Sequence, residues 1–191
     1  MGSKKSKWQE DDFLGRAFYF ALKAHDMQVR KGTGQPYIDH PMNVATMLMD
    51  LGADREIVAA GFLHDVVEDT GLTMPELRKA FGPRVAKLVE EVSEDKTKDW
   101  EERKQKTIDY LRTAPQEVLL LSLADKLDNL RSIAEDYDQS GEEIWTRFAR
   151  PRDSQKWYYQ NLSDVFTKRL TETELKKFVD EFALLVAAVF K

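Results

Sequence analysis

The sequence predicts a single all-α domain, and three observations lead there. Apolar residues recur at helical spacing nearly from end to end, and capping patterns and glycine stops punctuate the chain at helix-length intervals. Strand-type alternation of β-branched residues is missing, apart from room for one short hairpin near Val92 to Thr97. The 191 residues suffice for one domain with a full core, and 42% hydrophobic with 33% charged residues is an ordinary globular balance.

The elements follow in order. Asp11 or Asp12 caps a first helix with Phe13, Ala17, Phe20, Ala21 and Ala24 along one face, ending near Met27. The stretch VRKGTGQPYIDHP carries two glycines and two prolines and reads as a structured loop, after which Pro41 suits the first turn of a second helix. Leu51-Gly52 stops that helix, and Asp54 caps a third running towards Glu68. Thr73 with Glu76 makes a capping box for a fourth, stopped by Phe81-Gly82, and Pro83 opens a fifth through Val92. A sixth emerges from the charged stretch SEDKTKDWEERK. Pro115 then opens QEVLLLSLADKLDNL, apolar on all sides and therefore a central buried helix. A Trp- and Tyr-bearing helix runs from about Arg152 to Leu170, and Thr171 with Glu174 caps the last. Residues 1–10 read as a disordered polar tail, 11–170 as the main domain, and 171–191 as a helix packed on that same domain. MGSKKSK satisfies a myristoylation pattern through Gly2 and Ser6, but a pattern this short is read as a plain polar start.

Composition narrows the chemistry. Without cysteine there are no disulfides, thiolate metal sites or cysteine nucleophiles, so any metal must be held by imidazole, carboxylate, carbonyl or water. A net charge of −5 argues against a general DNA or RNA binder, while leaving room for a small anion in a local basic pocket. No apolar stretch approaches the roughly 20 residues of a membrane-spanning helix, so a cytoplasmic protein is expected. The last helix, with Phe178, Phe182, Leu185, Val186 and Val189, packs on its own domain by preference; a homo-oligomer stays open.

Three local signals carry chemistry. In GFLHDVVEDT, helical spacing places His64 above Glu68 and Asp65 above Asp69, a ligand set suited to a divalent transition ion. The bland alternative is a solvated helix end, although the flanking Phe62, Leu63, Val66 and Val67 make unpaired carboxylates costly there. In LLLSLADKLDNLR, Asp125 sits in expected core and needs a cation; Lys126 points to a different face, and a buried salt bridge explains Asp125 alone equally well. Asn129 lies one turn later on the same face. In RKGTGQPYIDHP, His40 stands at a loop-to-helix junction, and Arg30 and Lys31 either hold phosphate or form a solvated basic pair.

Together these stretches resemble the HD-domain phosphohydrolases, and most of all the hydrolase domain of the RelA/SpoT alarmone enzymes and the small stand-alone alarmone hydrolases. The resemblance is carried by RKGTGQPYIDHP, AAGFLHDVVEDTGLT and LADKLDNLR and runs from about Phe13 to Leu170. It implies an HD-type helical bundle of about eight to ten helices over residues 11–170. It also implies one divalent ion, usually Mn(II), on His40, His64, Asp65 and Asp125. Glu68 and Asp69 match the catalytic acidic pair, Arg30 the arginine that stacks on the nucleobase, Lys31 its basic neighbour, and Asn129 a nucleoside contact. Roles for Lys96, Lys156 or Tyr158 against substrate follow less tightly. His25 falls outside the motif and reads as a structural or surface histidine. Asp128 stands where the family often has His or Tyr, which alters the pocket wall.

The implied reaction is metal-dependent hydrolysis of the 3′-pyrophosphate of guanosine 3′,5′-bis(diphosphate) or its 5′-triphosphate relative. Other readings remain. One is an HD-type phosphatase of another ribose-phosphorylated nucleotide, such as NADPH or an adenosine alarmone. Another is a non-catalytic nucleotide sensor, and a third an antitoxin partner of an alarmone-synthesising toxin.

Overall fold

The longest helix organises the rest. In the computed structural model, which describes residues 12–30 and 34–191, α8 (Gln116–Ser140) runs through the centre with Val118 to Asp125 in unbroken burial. The expected tail over residues 1–10 and Lys31 lie outside the described residues. Before α8 come α1 (Phe13–Ala24), α2 (Asp39–Asp50), α3 (Arg55–Leu63), α4 (Val66–Asp69), α5 (Met74–Phe81), α6 (Pro83–Val92) and α7 (Trp100–Leu111). A 3-10 turn (Gly141–Arg147), α9 (Arg152–Arg169) and α10 (Lys176–Val189) follow it. Helices α2, α3, α6 and α10 all pack on α8. The domain is all-α: among the described residues there is no strand, only a single bridge from Val29 to Pro36 that closes the α1–α2 loop.

Local chemistry explains most boundaries. The Asp54 carboxylate accepts the N–H groups of Glu56 and Ile57 at the start of α3. Glu76 accepts the Thr73 N–H at 2.9 Å in the capping box of α5, and Gly52 and Gly82 take positive φ where α2 and α5 stop. Gly61 matters for a different reason. A Cβ there would lie 2.6 Å from Leu48 Cδ1 and 3.2 Å from the Ala45 Cα, so its hydrogen lets α3 lie directly on the backbone of α2.

Three expectations need correction. The third helix does not run unbroken to Glu68; it stops at Leu63, turns through His64 and Asp65, and resumes as α4. The cause is the imidazole itself: His64 Nδ1 donates to the Gly61 carbonyl at 2.9 Å, competing for an acceptor that a continuing helix would use. No hairpin forms near Val92 to Thr97, because α6 fills the chain to Val92 and residues 93–99 are a loop. The last helix begins at Lys176, not behind a Thr171–Glu174 cap. Leu175 is buried, and the N–H groups of Leu175 and Lys176 close turns onto Glu172 and Thr173 before the helix starts. From there α10 lays Phe178, Phe182, Val186 and Val189 against α8 and α9. No described helix is long and apolar enough to cross a membrane.

Candidate metal centre and nucleotide cleft

The close α2–α3 packing brings two histidines together. His40 comes from the first turn of α2, His64 and Asp65 from the break after α3, and Asp125 from the middle of α8. Ligand atoms of His40, His64 and Asp65 all lie within 4.8 Å of one another. His40 Nε2 is 3.2 Å from His64 Nε2, and Asp65 Oδ2 is 3.6 and 3.1 Å from those two nitrogens. Asp125 Oδ1 completes the cluster at 3.4 and 3.7 Å from the same pair. Both imidazoles are buried to 2% exposure and Asp125 to 7%, too deep for water to compensate their charges.

The tautomers decide what this cluster wants. His64 Nδ1 faces the Gly61 carbonyl and His40 Nδ1 faces the Asp128 carboxylate at 2.7 Å, partners that can only accept. Each Nδ1 therefore carries the proton, and each neutral ring turns an Nε2 lone pair inward. Two lone pairs and two carboxylate oxygens then face a common centre that needs positive charge. Burial opposes protonation of both rings, yet the hydrogen bonds and charges of Asp65, Asp125 and Asp128 raise the His40 pKa and lift that of His64 well above its usual value. Burial likewise opposes ionisation of Asp65 and Asp125, but His64 beside one and Lys126 beside the other hold both far below the carboxylate range. A field that draws protons onto two imidazoles also draws a cation, and mixed imidazole and carboxylate donors fit a divalent transition ion.

Around this centre stand the acids. Glu68 receives the backbone N–H of Glu94, while burial and the Asp65 charge push its pKa up. Lys96 donates to the Asp69 carboxylate and to the Glu68 carbonyl, the latter at 3.0 Å. Tyr37 places its hydroxyl 2.5 Å from Asp65 Oδ2 and 3.3 Å from Asp69 Oδ2. A cleft of about 590 Å³ opens beside them, lined by Arg30, Tyr37, His40, Asp69, Asn129 and Tyr159. Asn129 donates to Asp125 Oδ1 at 2.7 Å and accepts from Arg30 Nη2 at 3.2 Å.

Of the residues singled out from sequence, His40, His64, Asp65, Glu68, Asp69, Asp125, Asn129 and Arg30 come together here. Tyr158 does not join them. It is buried with its hydroxyl unpartnered, under the Lys104 ammonium at 4.8 Å, while its neighbour Tyr159 lines the cleft. Lys126 does not point away from Asp125, since its ammonium lies 2.7 Å from Asp125 Oδ2. His25 is buried and stacks against Tyr37, with ring centroids 4.7 Å apart. Tyr37 and Glu94 had no assigned role, and Asp128 was read only as a change in the pocket wall; the position of Tyr37 inside RKGTGQPYIDHP was the one available signal for it, and Glu94 had none beyond its charge.

An all-helical domain with a largely buried cluster of two histidines and two aspartates beside an open cleft is the architecture in hand. The chain belongs to the HD domain family, whose model matches residues 17–154. A guanosine-3′,5′-bis(diphosphate) 3′-pyrophosphohydrolase of Aquifex aeolicus is 41% identical over 128 residues, 65% of this chain and 18% of that protein. The chain thus spans under a fifth of the length of this long bacterial relative. The Xenopus tropicalis guanosine-3′,5′-bis(diphosphate) 3′-pyrophosphohydrolase MESH1 is 42% identical over 117 residues, 60% of this chain and 65% of that one. Among solved structures, a Listeria monocytogenes protein aligns with TM-score 0.74 and 44% identity over 79% of this chain and 98% of its own. A metazoan ortholog of SpoT that hydrolyses ppGpp aligns with TM-score 0.74 and 30% identity, over 95% of this chain and 96% of its own.

Proposed function

We propose that the chain hydrolyses the 3′-pyrophosphate of guanosine 3′,5′-bis(diphosphate) and its 5′-triphosphate relative, yielding pyrophosphate with GDP or GTP. The observation that carries this is the convergence of four ligand-type side chains, three of them buried and Asp65 half-buried, beside two acids and a cleft of nucleotide size. The relatives named as 3′-pyrophosphohydrolases support the choice of substrate. His40, His64, Asp65 and Asp125 hold one Mn(II). Such an ion supplies Lewis-acid chemistry, acidifying water and neutralising charge on phosphoryl oxygens.

The protein's own groups do the rest. Glu68, whose pKa is raised by burial and by Asp65, is placed to take a proton from the attacking water. As the water oxygen bonds to the 3′ phosphorus, the P–O3′ bond breaks and a proton passes to O3′. Asp69, held by Lys96 and Tyr37, orients the water from the second side. Arg30 lies on the cleft wall to stack on the base, Asn129 contacts the nucleoside, and Lys31 adds a positive charge to the same loop.

Pyrophosphate release from the guanosine alarmone, measured with and without Mn(II), tests the reading. Fast release by the wild type, none by His64→Ala, and retained Mn(II) binding but slow turnover in Glu68→Ala are expected. Equal rates for metal-depleted and loaded protein would overturn the mechanism. Orthophosphate release from NADPH, with no pyrophosphate release from the guanosine alarmone, would move the substrate to another ribose-phosphorylated nucleotide.

A further inference from the structure

Asp128 is a buried, heavily hydrogen-bonded side chain beside the centre that is not one of the four proposed ligands. It is 4% exposed and its two oxygens receive three donors. Oδ2 accepts from His40 Nδ1 and from Arg30 Nη1, each at 2.7 Å, and Oδ1 accepts from Asn43 Nδ2 at 2.8 Å. These donors come from separate places: His40 and Asn43 from α2, Arg30 from the loop before it. One carboxylate oxygen therefore serves both the inward-facing histidine and the arginine on the cleft wall. A neutral His or Tyr at this position could not offer a shared anionic acceptor.

We propose that Asp128 is a positioning residue that locks His40 for metal binding and ties that lock to Arg30, so that the cleft arginine and the metal centre share one carboxylate. The proposal rests on the metal and nucleotide assignments above. The physical argument has two parts. By accepting the His40 Nδ1 proton, Asp128 keeps Nε2 as the lone pair and makes it a stronger donor to a cation; such outer partners commonly change metal affinity by about 10–100-fold. By binding Arg30 through the same oxygen, it divides its negative charge. Removing the arginine leaves the carboxylate wholly to His40 and also takes a positive charge from the neighbourhood.

The two substitutions thus have opposite signs, which a merely structural role would not produce. Mn(II) affinity is measured by calorimetry on the full chain at fixed pH, with helicity and melting temperature recorded for every variant. Asp128→Ala is expected to weaken Mn(II) binding about 10–100-fold. Asp128→Asn, which keeps an acceptor but not the charge, should fall between it and the wild type. Arg30→Ala should bind Mn(II) at least as tightly as the wild type while losing affinity for GDP. Folded Asp128→Ala and Asp128→Asn with wild-type Mn(II) affinity would overturn the proposal. So would Arg30→Ala weakening Mn(II) as much as Asp128→Ala does. Should Asp128→Ala not fold, Asp128→Asn and Arg30→Ala decide by the same criterion. A wild type that binds no Mn(II) would remove the metal assignment itself, and this proposal with it.

Discussion

Replacing Gly61 by valine probes the contact on which the centre is built. Any Cβ at this position meets Leu48 Cδ1 at 2.6 Å, which a flexible side chain can relieve, and the Ala45 Cα at 3.2 Å, which it cannot. Forcing extra carbons into such a contact typically costs about 1–3 kcal/mol. Valine regains at most about 0.5 kcal/mol over glycine in helix propensity. The net loss is then roughly 0.5–3 kcal/mol, which for a chain of this length lowers the melting temperature by roughly 1–12 °C. The displacement also has a direction. Ala45 and Leu48 lie on α2 with His40, so pushing α3 away separates the two Nε2 atoms that now stand 3.2 Å apart. Mn(II) affinity should fall by about tenfold, the scale on which disturbed support of a ligand is usually felt. Thermal melts without metal and calorimetric titration with Mn(II) read the two effects separately. A Gly61→Val protein at least as stable as the wild type, with unchanged Mn(II) affinity, would refute the claim that this glycine sets the spacing of the histidines.

Other expectations follow from the same geometry. Because His40 and His64 have raised pKa values in the metal-free fold, both rings are protonated below those values and an ion must displace two protons. Mn(II) affinity should therefore fall as pH falls, by up to about a hundredfold per pH unit in that range, and level off above it; a flat profile from acid to alkaline pH would contradict the raised pKa values of the two imidazoles. Tyr37→Phe removes a hydroxyl shared by Asp65 and Asp69, worth about 1.5–3 kcal/mol for a bond to a charged group, so the melting temperature should fall by roughly 3–12 °C and turnover should drop with it. Arg169→Ala strips the donors from the carbonyls of Leu111, Arg112 and Ala114 at the end of α7, and should cost about 1–3 kcal/mol of stability without altering Mn(II) affinity. Asp125→Ala should abolish Mn(II) binding, as seen by titration, and leave Lys126 without its buried counter-ion.

Much of the helical layout was legible because short-range chemistry determines it. Thr73 with Glu76, Asp54, Gly52 and Gly82 act within one turn, and their spacing is visible in the chain. The proposed ligand residues stood out as residue types in a familiar order, not as geometry. What escaped depended on partners far along the chain or on fine helix phase. The break at His64 comes from a side chain bonding its own backbone, which apolar spacing does not register. Lys126 reaches Asp125 because a long side chain can turn back along α8, whatever the face of its Cα. Tyr158 and Tyr159 differ by one residue, yet one faces Lys104 and the other the cleft. Asp128 gains its meaning from Arg30, 98 positions away, and from His40, 88 positions away.

The four proposed ligands are also scattered along the chain. They come from the start of α2, the turn after α3 and the middle of α8, so no short stretch carries more than two of them. A cation can find its full set of donors only after these three segments have docked, and it has little to hold in the unfolded chain. Binding is then thermodynamically linked to folding as a whole. Free ion at a hundred times its dissociation constant adds about 2.7 kcal/mol to the native state. The melting temperature of the intact chain, followed against ion concentration, therefore reports occupancy of the centre without any substrate present.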